Sequence, residues 1–176
     1  MLAAIAFGLS ARSATAQSAA DEYQVKAAYI LNFARFVEWP SDVLPASSPI
    51  TITVLGDDPF GGTLENTLLG KFANGHPLRV RYQRWNDILT QSQIIFISAS
   101  EEPHLPEILR YLDHGSVLTV SDIDRFSLRG GVIEFRTIGN RVRFDINRTS
   151  ALASQITISS RLLSVARVVH EGSAAQ

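Results

Sequence analysis

The alternation of apolar and polar positions divides the chain into helices and strands with few ambiguous stretches. Val25 to Pro40, "VKAAYILNFARFVEWP", carries Ala27, Ala28, Ile30, Leu31, Phe33, Phe36 and Val37 around the whole helical wheel. That spread predicts a first helix from about Asp21 to Trp39, buried on most sides, with Pro40 ending it. Asn32 falls among these apolar positions, so its amide is expected to tie the helix to a neighbouring backbone. "SPITITVLG", Ser48–Gly56, reads as a central strand buried on both faces. Asp58 suits a helix N-cap and Pro59 a first helical position, which predicts a short helix over Phe60–Leu69. "PLRVRYQRW", Pro77–Trp85, alternates Leu78, Val80 and Tyr82 with Arg79, Arg81 and Gln83, the pattern of a half-exposed strand near an edge. "QIIFIS" and "SVLTVS" read as two further buried strands, separated by a helix from Ser100 to about Asp113.

The last third adds a hairpin. Gly139-Asn140 is a two-residue turn between "GVIEFRTI" and "RVRFDIN". Centring the turn there sets Thr137 opposite Val142, Phe135 opposite Phe144 and Ile133 opposite Ile146, an apolar face throughout. The other face sets Arg136 opposite Arg143 and Glu134 opposite Asp145, with attractive diagonals Glu134–Arg143 and Arg136–Asp145. A final helix is predicted over Ile158–Val169, capped by Ser159 or Thr157, with Ile158, Leu162, Val165, Ala166 and Val169 facing the core. Apolar strands alternating with helices predict an α/β fold: a single domain with a mostly parallel sheet flanked by helices, then the antiparallel hairpin and last helix.

The chain has 176 residues, 45% of them hydrophobic, and a formal net charge of −1. This suits one globular domain, and the charge balance implies no bulk attraction to nucleic acid or anionic membrane. Residues 1–20 read as a signal peptide. "LAAIAFGLS" is shorter than the ~20 residues that span a bilayer, and Ala14-Thr15-Ala16 supplies a small-x-small cleavage pattern near 16/17. No Lys or Arg precedes the apolar run, a departure from the usual basic start. The domain is then expected over 21–170, with a disordered tail over 171–176. The absence of cysteine excludes thiol catalysis, thiolate metal sites and disulfides.

Several blocks together resemble a known family. "VKAAYILNFARFVEWP", "GDDPFG", "VLTVSDIDRFSLRGGVIEF", "VRFDIN" and "ISSRLLSVARVV" are similar to successive blocks of the YfiR-like family of bacterial periplasmic regulatory proteins, from about Tyr23 to Val169. The resemblance implies a periplasmic α/β domain that dimerises and is not an enzyme. It implies a partner in the extracytoplasmic part of a membrane signalling protein, a diguanylate cyclase held inactive, and an outer-membrane lipoprotein as a further partner. The alternative is a periplasmic module that binds a nucleotide or an amino acid, with arginines holding an anionic ligand.

The chemistry-bearing residues offer few constellations. Asp57 and Asp58, with Asp122 and Asp124, could form an acidic Mg²⁺ pocket beyond the strands. A receiver-like site also needs a lysine past a later strand, and neither Lys26 nor Lys71 is so placed; capping and turn formation explain Asp57-Asp58. His76, His104, His114 and His170 lack paired metal-binding spacing, and no G-x-S-x-G elbow is present. No catalytic set, cofactor or metal site emerges. The residues singled out for partner binding are Phe36, Glu38 and Trp39 at the end of the first helix, and Arg136, Arg143 and Arg161. Each has a structural reading beside it. Trp39 can serve as a core lid. Arg136 and Arg143 can be held by the charge diagonals or grip a phosphate or partner carboxylate. Arg161 can tie to Asp145 or Glu38.

Overall fold

The computed structural model describes residues 10–86, 89, 91–113 and 115–169. The elements run α1 (Ser10–Phe36), β1 (Val37–Glu38), β2 (Ile50–Leu55), α2 (Thr63–Leu68), β3 (Phe72–Ala73), β4 (His76–Gln83) and β5 (Ile94–Ile97). A 3₁₀ turn over Ala99–His104 leads into α3 (Leu105–Leu112), followed by β6 (Leu118–Ser121) and a second 3₁₀ turn, Phe126–Arg129. The chain closes with β7 (Ile133–Ile138), β8 (Arg141–Asn147), α4 (Arg148–Ala153), β9 (Thr157–Ile158), α5 (Ser160–Leu163) and β10 (Arg167–Val169).

Eight strands form one sheet in the order β10-β8-β7-β6-β5-β2-β4-β3. β4, β2, β5, β6 and β7 are parallel, as the predicted α/β class requires. All six residues of β2 are buried, because helices cover both of its faces. Ile52, Val54, Ile94 and Phe96 point into the larger core, beneath Ile30 and Phe33 of α1, Leu64 and Leu68 of α2 and Leu162 of α5. The alternate residues Leu55, Ile95 and Ile97 point the other way, into a smaller core with Leu105, Ile108, Leu112 and Phe126. The hairpin register is the predicted one, from Ile133 opposite Ile146 to Thr137 opposite Val142. Phe135 stacks on Phe33 and Phe144 meets it edge-on, with ring centroids 5.6 and 5.2 Å away.

Five local expectations are corrected. Helix α1 stops at Phe36, before the predicted end at Trp39, because Val37-Glu38 pair as a strand with Thr157-Ile158. It also has a solvent side. Val25, Ala28 and Arg35 are exposed and Asn32 is half-buried, at intervals of three and four residues. Asn32 thus points outward, with no hydrogen bond among the described residues. Two apolar residues on that side, Val25 and Ala28, disguised it. Third, Asp58 does not cap α2. Its carboxylate accepts the Phe60 and Gly61 N–H groups at 2.8 and 3.1 Å, fixing a turn, and the helix begins only at Thr63 behind Gly62.

The fourth correction is the largest. The predicted final helix Ile158–Val169 is three elements, β9, α5 and β10. Ser159 does cap a helix, accepting the Leu162 N–H at 3.3 Å, but that helix lasts one turn. Of the predicted core stripe only Leu162 is buried, and Val165 is 65% exposed. β-branched Val165, Val168 and Val169 disfavour helix, and Arg167–Val169 instead pair in parallel with Asp145–Asn147. Residues 1–9 of the predicted signal segment lie outside the described residues, as do His114, His170 and the tail; residues 10–20 are helical, so α1 begins at Ser10 and not near Asp21 as expected.

Candidate functional site

The strand order places a topological switch between β2 and β5, since the chain leaves β2 for β4 on one side and returns to β5 on the other. Open α/β sheets gather ligands at the carboxyl ends of such strands. Here side chains of the fold fill that crevice. Gly56 follows β2 with φ of 97°, and a Cβ built on it would meet Ser100 Oγ at 2.5 Å and Glu101 Cγ at 2.7 Å. The Asp57 N–H donates to Ser100 Oγ at 2.9 Å. Glu101 is buried, and its Oε2 lies 3.2 Å from His104 Nδ1. Asp57 faces Arg84 at 3.4 Å in an exposed ion pair, and Asp58 is spent on its turn. The four acids of the Mg²⁺ reading therefore do not converge, and no group of three or more His, Cys, Asp or Glu is placed to hold a metal among the described residues.

Asp122, just beyond β6, has a different partner. Lys26 Nζ of α1 reaches its Oδ2 at 2.6 Å and Glu22 Oε1 at 2.6 Å, with the lysine side chain only 3% exposed. The Tyr23 hydroxyl donates to the same Asp122 oxygen at 2.8 Å, and its ring lies 4.2 Å from the ammonium. Burial, reinforced by the Asp122 carboxylate, pushes the Tyr23 hydroxyl well above the ordinary phenol range. This cluster fastens α1 to the end of the sheet.

A second charged cluster lies under the hairpin. Asp145 is buried on the side opposite Phe144 and accepts from Arg136 Nη1 at 3.3 Å, from Arg167 Nε at 2.9 Å and from Arg167 Nη2. The hydrogen bond to Asp145 raises the Arg167 guanidinium above its usual value. The Arg136–Asp145 bond is one of the two predicted diagonals. The other, Glu134–Arg143, is not made. Buried Glu134 turns to the 3₁₀ turn after β6, where it accepts the Arg125 N–H at 3.1 Å, the Ser127 N–H at 3.0 Å and the Ser127 hydroxyl at 2.6 Å. Those donors serve an inward carboxylate better than an exposed arginine does.

The six residues singled out from sequence fall in two places. Phe36, Glu38, Trp39 and Arg161 surround the β1–β9 pair. Phe36 and Trp39 are half-buried against the main core, Glu38 and Arg161 are exposed, and the Phe36 carbonyl accepts the Ser159 N–H at 2.9 Å. The Trp39 indole nitrogen is buried with no acceptor among the described residues. Arg161 does not take the tie to Asp145; Arg167 does. Arg136 and Arg143 stand instead on the hairpin. Exposed Arg143 joins Arg141 on one wall of a groove of about 830 Å³, whose other wall is Asp21, Glu22, Val25 and Tyr29 of α1.

Sequence reasoning missed Arg167 and gave Lys26, Asp122 and Glu134 roles other than the ones they take. Lys26 was visible as a charge inside an apolar helix, four residues after Glu22. Arg167 was hidden by the misread helix.

A family model described as YfiR/HmsC-like (DUF4154) matches residues 23–167. No curated protein matches. Among solved structures, a conserved domain protein from Vibrio cholerae O1 biovar eltor str. N16961 is similar, with a TM-score of 0.51 and 12% identity. The alignment covers 74% of this chain and 57% of that one, so the chain spans little more than half of that protein, and the likeness concerns the fold alone. The family match runs from Tyr23, whose hydroxyl holds Asp122, to Arg167, whose guanidinium holds Asp145, and the chain therefore belongs to the YfiR/HmsC-like family.

Proposed function

We propose that the protein is exported through residues 1–20, matures near Gln17, and regulates by binding in the periplasm. In this reading it holds the extracytoplasmic part of a membrane diguanylate cyclase inactive, works as a homodimer, and is relieved by an outer-membrane lipoprotein. The observation that carries the reading is the family match over residues 23–167, which supports a periplasmic regulator of cyclic-di-GMP signalling in general. The filled crevice between β2 and β5 agrees with a protein that acts through its surface. Exposed Glu38 and Arg161 beside half-buried Phe36 and Trp39 offer one binding face. Arg136 and Arg143 offer another.

Deleting the gene tests this. Cellular cyclic-di-GMP is expected to rise, and an unchanged level with the cyclase expressed would refute cyclase repression. Capture from membrane extracts names the partner directly. The groove between α1 and the hairpin favours a second reading, a small-molecule sensor, because it sets acidic against basic side chains. Thermal stabilisation by nucleotides or amino acids supports that reading.

A further inference from the structure

The last strand of the sheet, β3, is two residues long and leaves the outer side of β4 beyond it without a paired strand. β3 pairs only Phe72 with Pro77 and Ala73 with His76. Beyond them the Lys71 carbonyl accepts the Leu78 N–H at 3.2 Å. The direction of the remaining peptide groups follows from one hydrogen bond. The Gly56 N–H donates to the Gln83 carbonyl at 2.8 Å, so Gln83 turns its backbone groups toward β2. Alternate residues of a strand in a parallel ladder turn to opposite sides. Arg79 and Arg81 therefore also face β2, and Val80 and Tyr82 direct their N–H and C=O groups outward. No described residue pairs with them there. Such a row is a template for another strand.

The side chains define what strand would fit. Leu78 and Val80 line a groove of about 330 Å³ with Leu68, Leu69, Glu65 and Asn66 of the α2 segment. Leu69 at its rim is 80% exposed, and Phe72 and Tyr82 are 59% and 41% exposed. An added strand would lay every second side chain into this groove between strand and helix, against Leu68, Leu69, Leu78 and Val80. Its other side chains would stand on the opposite face, beside exposed Arg79. A second copy of this chain fits poorly. Its β4, His76–Gln83, carries no carboxylate to meet exposed Arg79 in any register.

We propose that the open edge of β4 takes up an extended segment of a partner protein in which apolar residues alternate with acidic ones. This shares with the regulatory reading only the premise that the protein binds another protein. Its test needs no cyclase, so the two can fail separately.

The probe is a capped peptide of alternating valine and glutamate, with a valine–lysine peptide as control. The valine–glutamate peptide is expected to slow hydrogen exchange at the Val80 and Tyr82 amides. Val80→Pro removes an outward donor and no bond to β2, so the fold should survive while binding weakens about tenfold. Arg79→Glu leaves the backbone edge intact and should reverse the preference between the two peptides, whether or not Val80→Pro folds. Unprotected amides at saturating peptide, or equal binding of the two peptides, would overturn the proposal. So would protection of both amides without peptide in a chain that elutes as a dimer, which assigns the edge to a second copy.

Discussion

Lys26→Met tests how α1 is fastened to the sheet. Methionine keeps the length of the stem, and its helix propensity is close to that of lysine, so the change isolates the charge. Removing one member of a buried ion pair costs about 3–5 kcal/mol, because the partner's charge is left buried. Two details place this case at the lower end. The Glu22 side chain is 31% exposed and can turn to water. Asp122, at 12%, keeps the Tyr23 hydroxyl. A loss of about 3 kcal/mol lowers Tm by roughly 6–12 °C in a domain of this size. Thermal unfolding followed by far-UV circular dichroism measures it. Adding Asp122→Asn removes the orphaned charge, so the double variant should regain about half the loss in a double-mutant cycle. A Tm within about 2 °C of the parent for Lys26→Met, or strictly additive losses, would refute the argument that a buried ion pair holds the helix.

Three other perturbations address separate parts of the molecule. Gly56→Ala forces a Cβ at φ of 97° to within 2.5 Å of Ser100 Oγ, and chemical denaturation should show a loss of about 2 kcal/mol or more. Tyr23 and Tyr82 ionise late, Tyr23 because of burial and Asp122, and Tyr82, pushed up to about 12, because of burial with Asp58 and Glu65. Raised folded values favour the neutral hydroxyls, so their contribution is full below the ordinary phenol value near 10 and is lost as pH climbs above it. Ultraviolet titration should show Tyr23 and Tyr82 ionising only above the ordinary phenol range, with Tm falling over the same range. Arg136→Ala with Arg143→Ala should abolish partner or anion binding, measured by calorimetry. Tm should move by no more than about 3 °C, because Arg167 still holds buried Asp145 through both Nε and Nη2 and its charge is not left unpaired.

The sequence was most readable where one face of an element is buried and the other is not. The hairpin register followed from Phe135, Phe144, Ile133 and Ile146 alone, because a slip of one residue would turn all four outward. The buried strands were equally plain. The C-terminal segment was misread because Ile158, Leu162, Val165 and Val169 satisfy a helical spacing that tertiary pairing overrides. β9 is held by β1, and β10 by β8, partners far away in the chain. The charged clusters were hidden for the same reason. Lys26 and Asp122 are 96 residues apart, and nothing local to either marks the other. The Glu134–Arg143 diagonal failed because a neighbouring turn offered the carboxylate three inward donors, which hairpin geometry alone does not reveal.

These clusters bear on how the fold is used. The doubly wound order brings Asp57, Asp58 and Asp122 to the same end of the sheet, where related topologies keep reactive or ligand-binding groups. In this chain each of these acids is engaged by the fold itself. Asp58 fixes a turn, Asp57 faces Arg84, and Asp122 anchors α1 through Lys26 and Tyr23. Glu101 and Ser100 occupy the space above Gly56. Charges that would elsewhere face a ligand here fix the positions of α1, the 3₁₀ turns and β10. Such a scaffold keeps its periphery in register: the β1–β9 pair with Trp39, the arginines of the hairpin, and the open edge of β4. A regulator that acts by docking needs rigid surfaces more than a reactive centre, because ordering a surface at the moment of binding subtracts from affinity. Loosening α1 with Lys26→Met should therefore weaken docking at the β1–β9 face, which α1 leads into directly, and strand addition at β4 as well, because α2, which walls that groove, packs on α1 in the same core and the Arg35 carbonyl accepts from Asn74 Nδ2 at 3.2 Å beside β3.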